Sequence, residues 1–241
     1  MQSILISIAV NLSWTTNMFY ECEILNEQQL THINDLYDKA EYTQGTVSQR
    51  DENNVDTSVK DNYVMSQHTS QFRKSLEIIQ QGINDAIAFR STFVVKEMTV
   101  PQLTEYREGG KYNPHIDNIT VQGLKAHHSI TLFLNDPDEY EGGELVITDG
   151  DMPFKFKQKA GTALVYPTGY MHYVAPVTSG KRRVALMWAT SLIEDFFMRH
   201  QILNFGKSIE RLLKEYPDAP QEVLVPFEQV RTNFVREYGN L

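Results

Sequence analysis

The chain is short of several things, and each shortage excludes something. Its 241 residues include one cysteine, Cys22. No intrachain disulfide can form, which points to a reducing cytoplasm. A lone thiol of this kind reads as a small buried hydrophobe rather than a nucleophile. Basic residues cluster nowhere except at Lys181-Arg182-Arg183, and the formal net charge is −9 with a pI near 5.3. Nucleic acid and anionic membranes both call for basic patches, so neither is an expected partner. No apolar run reaches the length of a membrane span. The stretch ILISIAV at 4–10 lacks a basic start and a small-residue cleavage site, and reads as a first strand or an unusual leader. No serine or cysteine stands beside a base in an arrangement suited to nucleophilic catalysis. There is no internal repeat and no low-complexity segment.

What is present suits one domain over 1–241, long enough for a substantial core. Hydrophobic residues make up 41%, ordinary for a globular chain. Residues 26–40 read as a helix, with Asn26 as cap and Leu30, Ile33, Leu36 and Tyr37 on one face. Residues 43–62 are polar and rich in turn formers, and read as a long surface loop. A second helix is expected over about 68–90, through Phe72, Leu76, Ile79, Ile83 and Ile87. From about 92 the period changes. FVVKEMTV, HHSITLFLND, GELVITDG, GTALVYP and RRVALMWATS are short, β-branched or aromatic, and punctuated by Gly, Pro and Asp. Such spacing suggests a sandwich or barrel of the jelly-roll kind over about 92–192. Helix returns over about 191–215, and a last short helix is expected at about 226–237. The layout is N-terminal helices and a polar loop over about 20–90, the β core, then C-terminal helices over about 193–241.

Within YNPHIDN at 112–118, His115 and Asp117 are two residues apart. On a strand they would share a face, offering one imidazole and one carboxylate. Two histidines and a carboxylate on one face of an octahedron hold iron(II) in oxygenases and leave positions open. The set needs a second, distant histidine. His32, His68 and His200 sit in or beside helices and read as surface or core residues, while His127 and His128 begin a strand. His172 lies directly before the expected terminal strand. Ten residues later comes Arg182, on a strand whose same face carries Val184, Leu186 and Trp188. Arginine is a planar, permanently charged partner for a carboxylate. Lys181 and Arg183 read as solvated turn residues, with Arg183 pointing to the outer face.

The run Tyr106-x-x-Gly109-x-x-Tyr112-x-Pro114-His115-x-Asp117-Asn118 resembles the prolyl 4-hydroxylase-like branch of the 2-oxoglutarate/Fe(II) dioxygenases. It is most similar to the PKHD-type hydroxylases. TLFLNDPDEYEGGELVI at 131–147, the region 159–195 around His172, and VKDN at 59–62 also match that group. The resemblance covers about residues 20–215. It implies a mainly β fold with flanking helices around a double-stranded β-helix (a cupin-like jelly roll). It implies Fe(II) on His115, Asp117 and His172, and 2-oxoglutarate chelating that iron. Arg182 would take the far carboxylate and Tyr106 would hydrogen-bond to the cosubstrate. Thr131 and Phe133 would wall its pocket, and Trp188 would sit near the barrel mouth. Tyr112 and Asn118 flank the ligands and are candidates for substrate contact, with strand-end packing as the plainer alternative. O2 would be the co-reactant, and ascorbate is a further candidate requirement.

The implied activity couples decarboxylation of 2-oxoglutarate to succinate with C–H hydroxylation, with a prolyl residue of a protein or peptide as first choice. Other readings stay open at this point. The substrate could be a free amino acid or small metabolite. The chain could be a cupin-like metal-binding protein without oxygenase activity, or a silent sensor of the cosubstrate. A nucleic-acid demethylase fits poorly with the acidic charge. The 43–66 loop is a candidate lid over the site.

Overall fold

A computed structural model describes residues 18–47, 54–86, 89 and 92–240. The 4–10 stretch lies outside the described residues, as does the middle of the candidate lid. Helix α1 (Glu27–Asp38) opens on a capping box in which Asn26 accepts from the Gln29 amide and the Gln29 side chain accepts from the Asn26 amide. Helix α2 (Ser70–Asp85) is capped by Thr69.

The larger sheet has eight strands. It runs β1 (Tyr20–Glu23), β14 (Thr162–Pro167), β10 (His128–Phe133), β17 (Arg182–Ser191), β6 (Gln102–Tyr106), β4 (Tyr63–Met65) and β2 (Tyr42–Gln44). β5 (Val95–Met98) pairs with the far end of β17. The smaller sheet runs β13 (Met152–Phe156), β12 (Leu145–Asp149), β15 (Met171–Val174), β7 (Lys111–His115) and β3 (Lys60–Asp61). Two short pairs complete the set: β8 (Thr120–Val121) with β9 (Leu124–Lys125), and β11 (Tyr140–Gly142) with β16 (Val177–Gly180). Every pairing is antiparallel.

Strand alternation divides the core in two. Ile130 and Leu132 of β10, Ala163 and Val165 of β14, and Ala185, Met187 and Ala189 of β17 face α1 and α2. The residues between them, including Phe133, Leu164, Tyr166 and Val184, face the smaller sheet. The large sheet is therefore buried on both sides. This is why SITLFL reads as a continuous apolar run rather than an alternating one.

The architecture is mixed α/β with a substantial antiparallel sheet. Helices form more of it than a mainly β reading allows, and the two sheets are hydrogen-bonded separately rather than closed into one barrel. Short strands β1 to β4 also fall in the stretch expected to hold helices and loop. They are strands of two to four residues at or next to a sheet edge, too brief to show a period. Helix α3 (Phe196–Glu215), capped by Asp195, ends where expected but starts five residues later, because β17 runs through to Ser191. Helix α4 (Gln221–Tyr238) begins five residues before the expected start and contains Pro226. No residue of α4 is buried, so water can satisfy the carbonyl that the proline leaves without a donor. Among the described residues, no helix is long and apolar enough to cross a membrane.

Candidate metal and cosubstrate site

Between the two sheets lies a cavity of about 300 Å³. β7 and β15 are neighbours, and their register sets His115 directly opposite His172. Asp117 does not reach the histidines by the pleat alternation expected from its spacing, because β7 ends at His115. Instead its carboxylate is steered from the other sheet. Ser129 Oγ donates to Asp117 Oδ2 at 2.7 Å, and Trp188 Nε1 donates to the same oxygen at 2.8 Å. Oδ1 is left facing the imidazoles, 3.7 Å from His115 Nε2 and 3.6 Å from His172 Nε2. The three residues bring one ligand atom each to within 4.8 Å of one another.

The imidazoles are prepared for a metal. His115 Nδ1 lies 2.9 Å from the Asn113 carbonyl, and His172 Nδ1 lies 2.9 Å from the Tyr170 carbonyl. A carbonyl only accepts, so each Nδ1 carries a proton and each Nε2 is the ring atom turned toward Asp117. Burial pushes the His115 imidazole down to about 4, with neighbouring His172 adding to the effect. It is neutral at physiological pH, the form that binds metal.

Arg182 lies at the start of β17, paired with Tyr106 on β6, and is 1% exposed. Its guanidinium carbon is 5.2 Å from the Tyr106 ring centroid and 5.5 Å from that of Phe133. Its Nε and Nη1 are buried without a hydrogen-bond partner. A buried, half-paired cation is costly, and a carboxylate is the group that would relieve it. Burial raises the Tyr106 phenol to about 12, so it remains a donor at neutral pH. The residues present thus fit both an octahedral metal ion and a dicarboxylate.

Arg182 and Trp188 line the cavity beside the metal-ligand set, as do Tyr106, Thr131, Tyr112 and Asn118. Phe133 does not line it and packs beneath Arg182 in the inner core. Arg183 points to the outer face as expected, but it is no solvated turn residue. It is 8% exposed and pairs with Glu105 at 3.1 Å and with Asp38. Helix α1 covers that face, and nothing in the short basic run signals it. Cys22 is half-buried and its thiol is pushed up to about 12 by burial, in keeping with an inert role. Ser129, Tyr166 and Lys60 also line the cavity and were not singled out from sequence. Lys60 belongs to VKDN, and Ser129 and Tyr166 to two of the expected strands, but none of these runs marks the residue itself.

Residues 101–190 match the 2OG-Fe(II) oxygenase superfamily. A PKHD-type hydroxylase of Xylella fastidiosa (strain M12) is 31% identical over 228 residues, covering 90% of this chain and 96% of that protein. The chain belongs to the PKHD-type hydroxylases. A second member, from Aliarcobacter butzleri (strain RM4018), is 30% identical over 80% of this chain and 87% of its own. This PKHD-type hydroxylase shares its fold with solved structures at low identity. One is a prolyl hydroxylase from Trichoplax adhaerens in complex with a hypoxia inducible factor peptide fragment (TM-score 0.58, 16% identity, 73% of this chain and 84% of that chain). Another is a Pseudomonas putida prolyl-4-hydroxylase (TM-score 0.51, 16% identity, 72% and 93%). Family and metal-ligand cluster together make the protein a 2-oxoglutarate- and Fe(II)-dependent dioxygenase with hydroxylase activity.

Proposed function

We propose that this dioxygenase hydroxylates a prolyl residue in a protein or peptide, with His115, Asp117 and His172 as its iron ligands. The observation that carries the site assignment is the convergence of both Nε2 atoms and Asp117 Oδ1 in the cavity that also holds the half-paired Arg182. The prolyl substrate is supported by what the structural relatives are called, prolyl hydroxylases, one of them holding a peptide.

In this reading Arg182 takes the distal carboxylate of 2-oxoglutarate and Tyr106 donates a hydrogen bond to it. Thr131 lines the cosubstrate's slot, and Phe133 holds the Arg182 guanidinium from below. Trp188 and Ser129 hold Asp117 in one orientation so that Oδ1 faces the metal. Asn113 and Tyr170 carbonyls fix the imidazole tautomers. Tyr112 and Asn118 meet the substrate at the mouth. When bound, iron supplies an oxygen chemistry that no side chain possesses, consuming O2 and 2-oxoglutarate and yielding succinate and carbon dioxide. The protein's part is to position the target C–H bond and to exclude water. Ascorbate serves as an accessory reductant, and the single cysteine suits a reducing cytoplasm. The 1–241 chain acts as one domain.

A second reading keeps the chemistry but takes a free amino acid or small metabolite. The modest volume of about 300 Å³ favours it, being at the small end for ligand sites. The experiment is anaerobic addition of Fe(II) and 2-oxoglutarate to metal-free protein. A visible charge-transfer band that His115→Ala abolishes and Arg182→Ala weakens is expected. Metal binding without any band would overturn the assignment. Turnover of prolyl peptides against free proline then separates the two substrate readings.

A further inference from the structure

The cavity holds a second cation that the iron and cosubstrate assignments leave unused. Lys60 lies on β3, the edge strand zipped to β7, and stands opposite Tyr112 in register. The Asn113 amide donates to the Val59 carbonyl at 2.8 Å, and Asn113 Nδ2 donates to the Ser58 carbonyl at 3.2 Å. The segment is thus fastened to the strand that carries His115. Lys60 is 4% exposed, and its side chain lines the cavity. Its Nζ donates to the Thr46 carbonyl at 3.0 Å and lies 4.7 Å from the Tyr112 ring centroid. The Tyr112 ring in turn stacks on His115, with centroids 3.6 Å apart.

Lysine is rarely buried without a pairing anion. Among the described residues, no carboxylate forms an ion pair with Lys60. Asp61, next to it, is engaged by Gln44 Nε2 at 2.9 Å. Burial pulls the Lys60 ammonium down to about 8, with the Asp117 carboxylate acting in the opposite sense. It is mostly charged at neutral pH. A divalent metal, the Asp117 carboxylate, Arg182 and Lys60 together leave the cavity with three net positive charges. Dianionic 2-oxoglutarate removes two of them. One positive charge then remains, inside a protein whose net charge is −9.

We propose that Lys60 anchors the substrate by a carboxylate, so that the molecule hydroxylated is an acid held between Lys60 and the Tyr112 ring. That acid is either a free amino-acid-like compound or a peptide whose acidic group neighbours the target carbon. A neutral prolyl peptide lacks the group that balances the site. This inference rests on the dioxygenase reading above and narrows its substrate.

The test pairs each acid with its neutral isostere. The probes are N-acetyl-L-proline against N-acetyl-L-prolinamide, and acetyl-Gly-Pro-Asp-amide against acetyl-Gly-Pro-Asn-amide. Two readouts are taken on the full chain. One is perturbation of the anaerobic Fe(II)·2-oxoglutarate band. The other is protection of Lys60 from acylation, followed by mass spectrometry on metal-free protein. An acid is expected to bind at least about tenfold more tightly than its partner, on the order of 1.4 kcal/mol. Lys60→Met is expected to erase that difference while leaving the band and its 2-oxoglutarate dependence in place, which also reports that the variant folds. The pair that discriminates identifies a free acid or a peptide as the source. Acids that bind no better than their amides overturn the proposal. So does a Lys60→Met variant that loses 2-oxoglutarate affinity, since Lys60 would then serve the cosubstrate. Absence of the band in the wild type would instead sink the dioxygenase reading, and the acylation readout would still decide whether Lys60 takes a carboxylate.

Discussion

Ser129 and Trp188 stand directly opposite each other on β10 and β17, and both donate to one oxygen of Asp117. The larger sheet thereby aims a ligand that belongs to neither sheet. Hydrogen bonds to a metal-binding carboxylate fix its orientation, and their loss typically costs about 10–100-fold in metal affinity. Trp188→Phe and Ser129→Ala should each weaken Fe(II) binding within that range, measured by competition with a chelating dye. The double variant should fall by less than the product of the two, because both bonds restrain the same oxygen. Unchanged affinity in Trp188→Phe would show that the carboxylate needs no steering.

Arg182 yields a prediction with two signs. Arg182→Met should raise the 2-oxoglutarate dissociation constant roughly 100-fold or more, as removal of a buried charge partner costs about 3–5 kcal/mol. Metal binding should barely change. Without cosubstrate the same variant should be as stable as the wild type or more so, because a half-paired buried cation has been replaced by an apolar chain of similar length. Chemical denaturation of the metal-free proteins reads this directly. A large loss of stability would mean that the guanidinium braces the fold.

Metal should stabilise the protein through the three ligands alone. A metal ion at about 100 times its dissociation constant adds about 2.7 kcal/mol to the folded state, or roughly 5–10 °C in Tm for a chain of this size. The shift should vanish in Asp117→Ala and in His172→Ala. If either variant kept it, the ion would be binding elsewhere.

Two further histidines predict an acid weakness. Burial pushes His128 down to about 3, with Arg199 adding to it, and pushes His127 down to about 4. In the unfolded chain a histidine takes its proton near pH 6.5. Between that pH and the folded values, the unfolded state binds protons that the folded state refuses. Stability is therefore fully present above pH 6.5 and declines as pH falls, by up to about 1.4 kcal/mol per pH unit for each group. Denaturant melts at pH 7.5 and 5.0 should show a smaller decline in His128→Leu than in the wild type. Equal declines would remove His128 from the account.

Much of this site was legible because its chemistry sits in side-chain identity. His115, Asp117, His172 and Arg182 stand where the resemblance to the PKHD-type hydroxylases implies them, each with the expected residue type. Helix α1 was legible from its Asn26 cap and apolar stripe, α2 from its stripe, and the central strands from β-branched runs. The agent that places Asp117 was not. The His-x-Asp spacing suggested pleat alternation, whereas the cause lies 12 and 71 residues away, in Ser129 and Trp188. Lys60 was hidden for a related reason. A lysine in a polar, turn-rich stretch reads as solvated until β3 is seen to zip onto β7. Pairings of this kind depend on contacts between distant segments, and no local period reports them.

Arg182 and Arg183 are adjacent and face opposite ways, and their surroundings make β17 a lever. Arg183 is bolted to Glu105 of β6 and to Asp38 at the end of α1. Asp38 stands largely in water, and its carboxyl is held below its usual range by that guanidinium. A single peptide unit therefore separates the outer-face ion pairs from the residue that faces the cavity. Trimming the outer bolt, as in Asp38→Asn, should loosen the grip on 2-oxoglutarate, read by titrating the anaerobic charge-transfer band, while His115 on β7 and His172 on β15 keep their places.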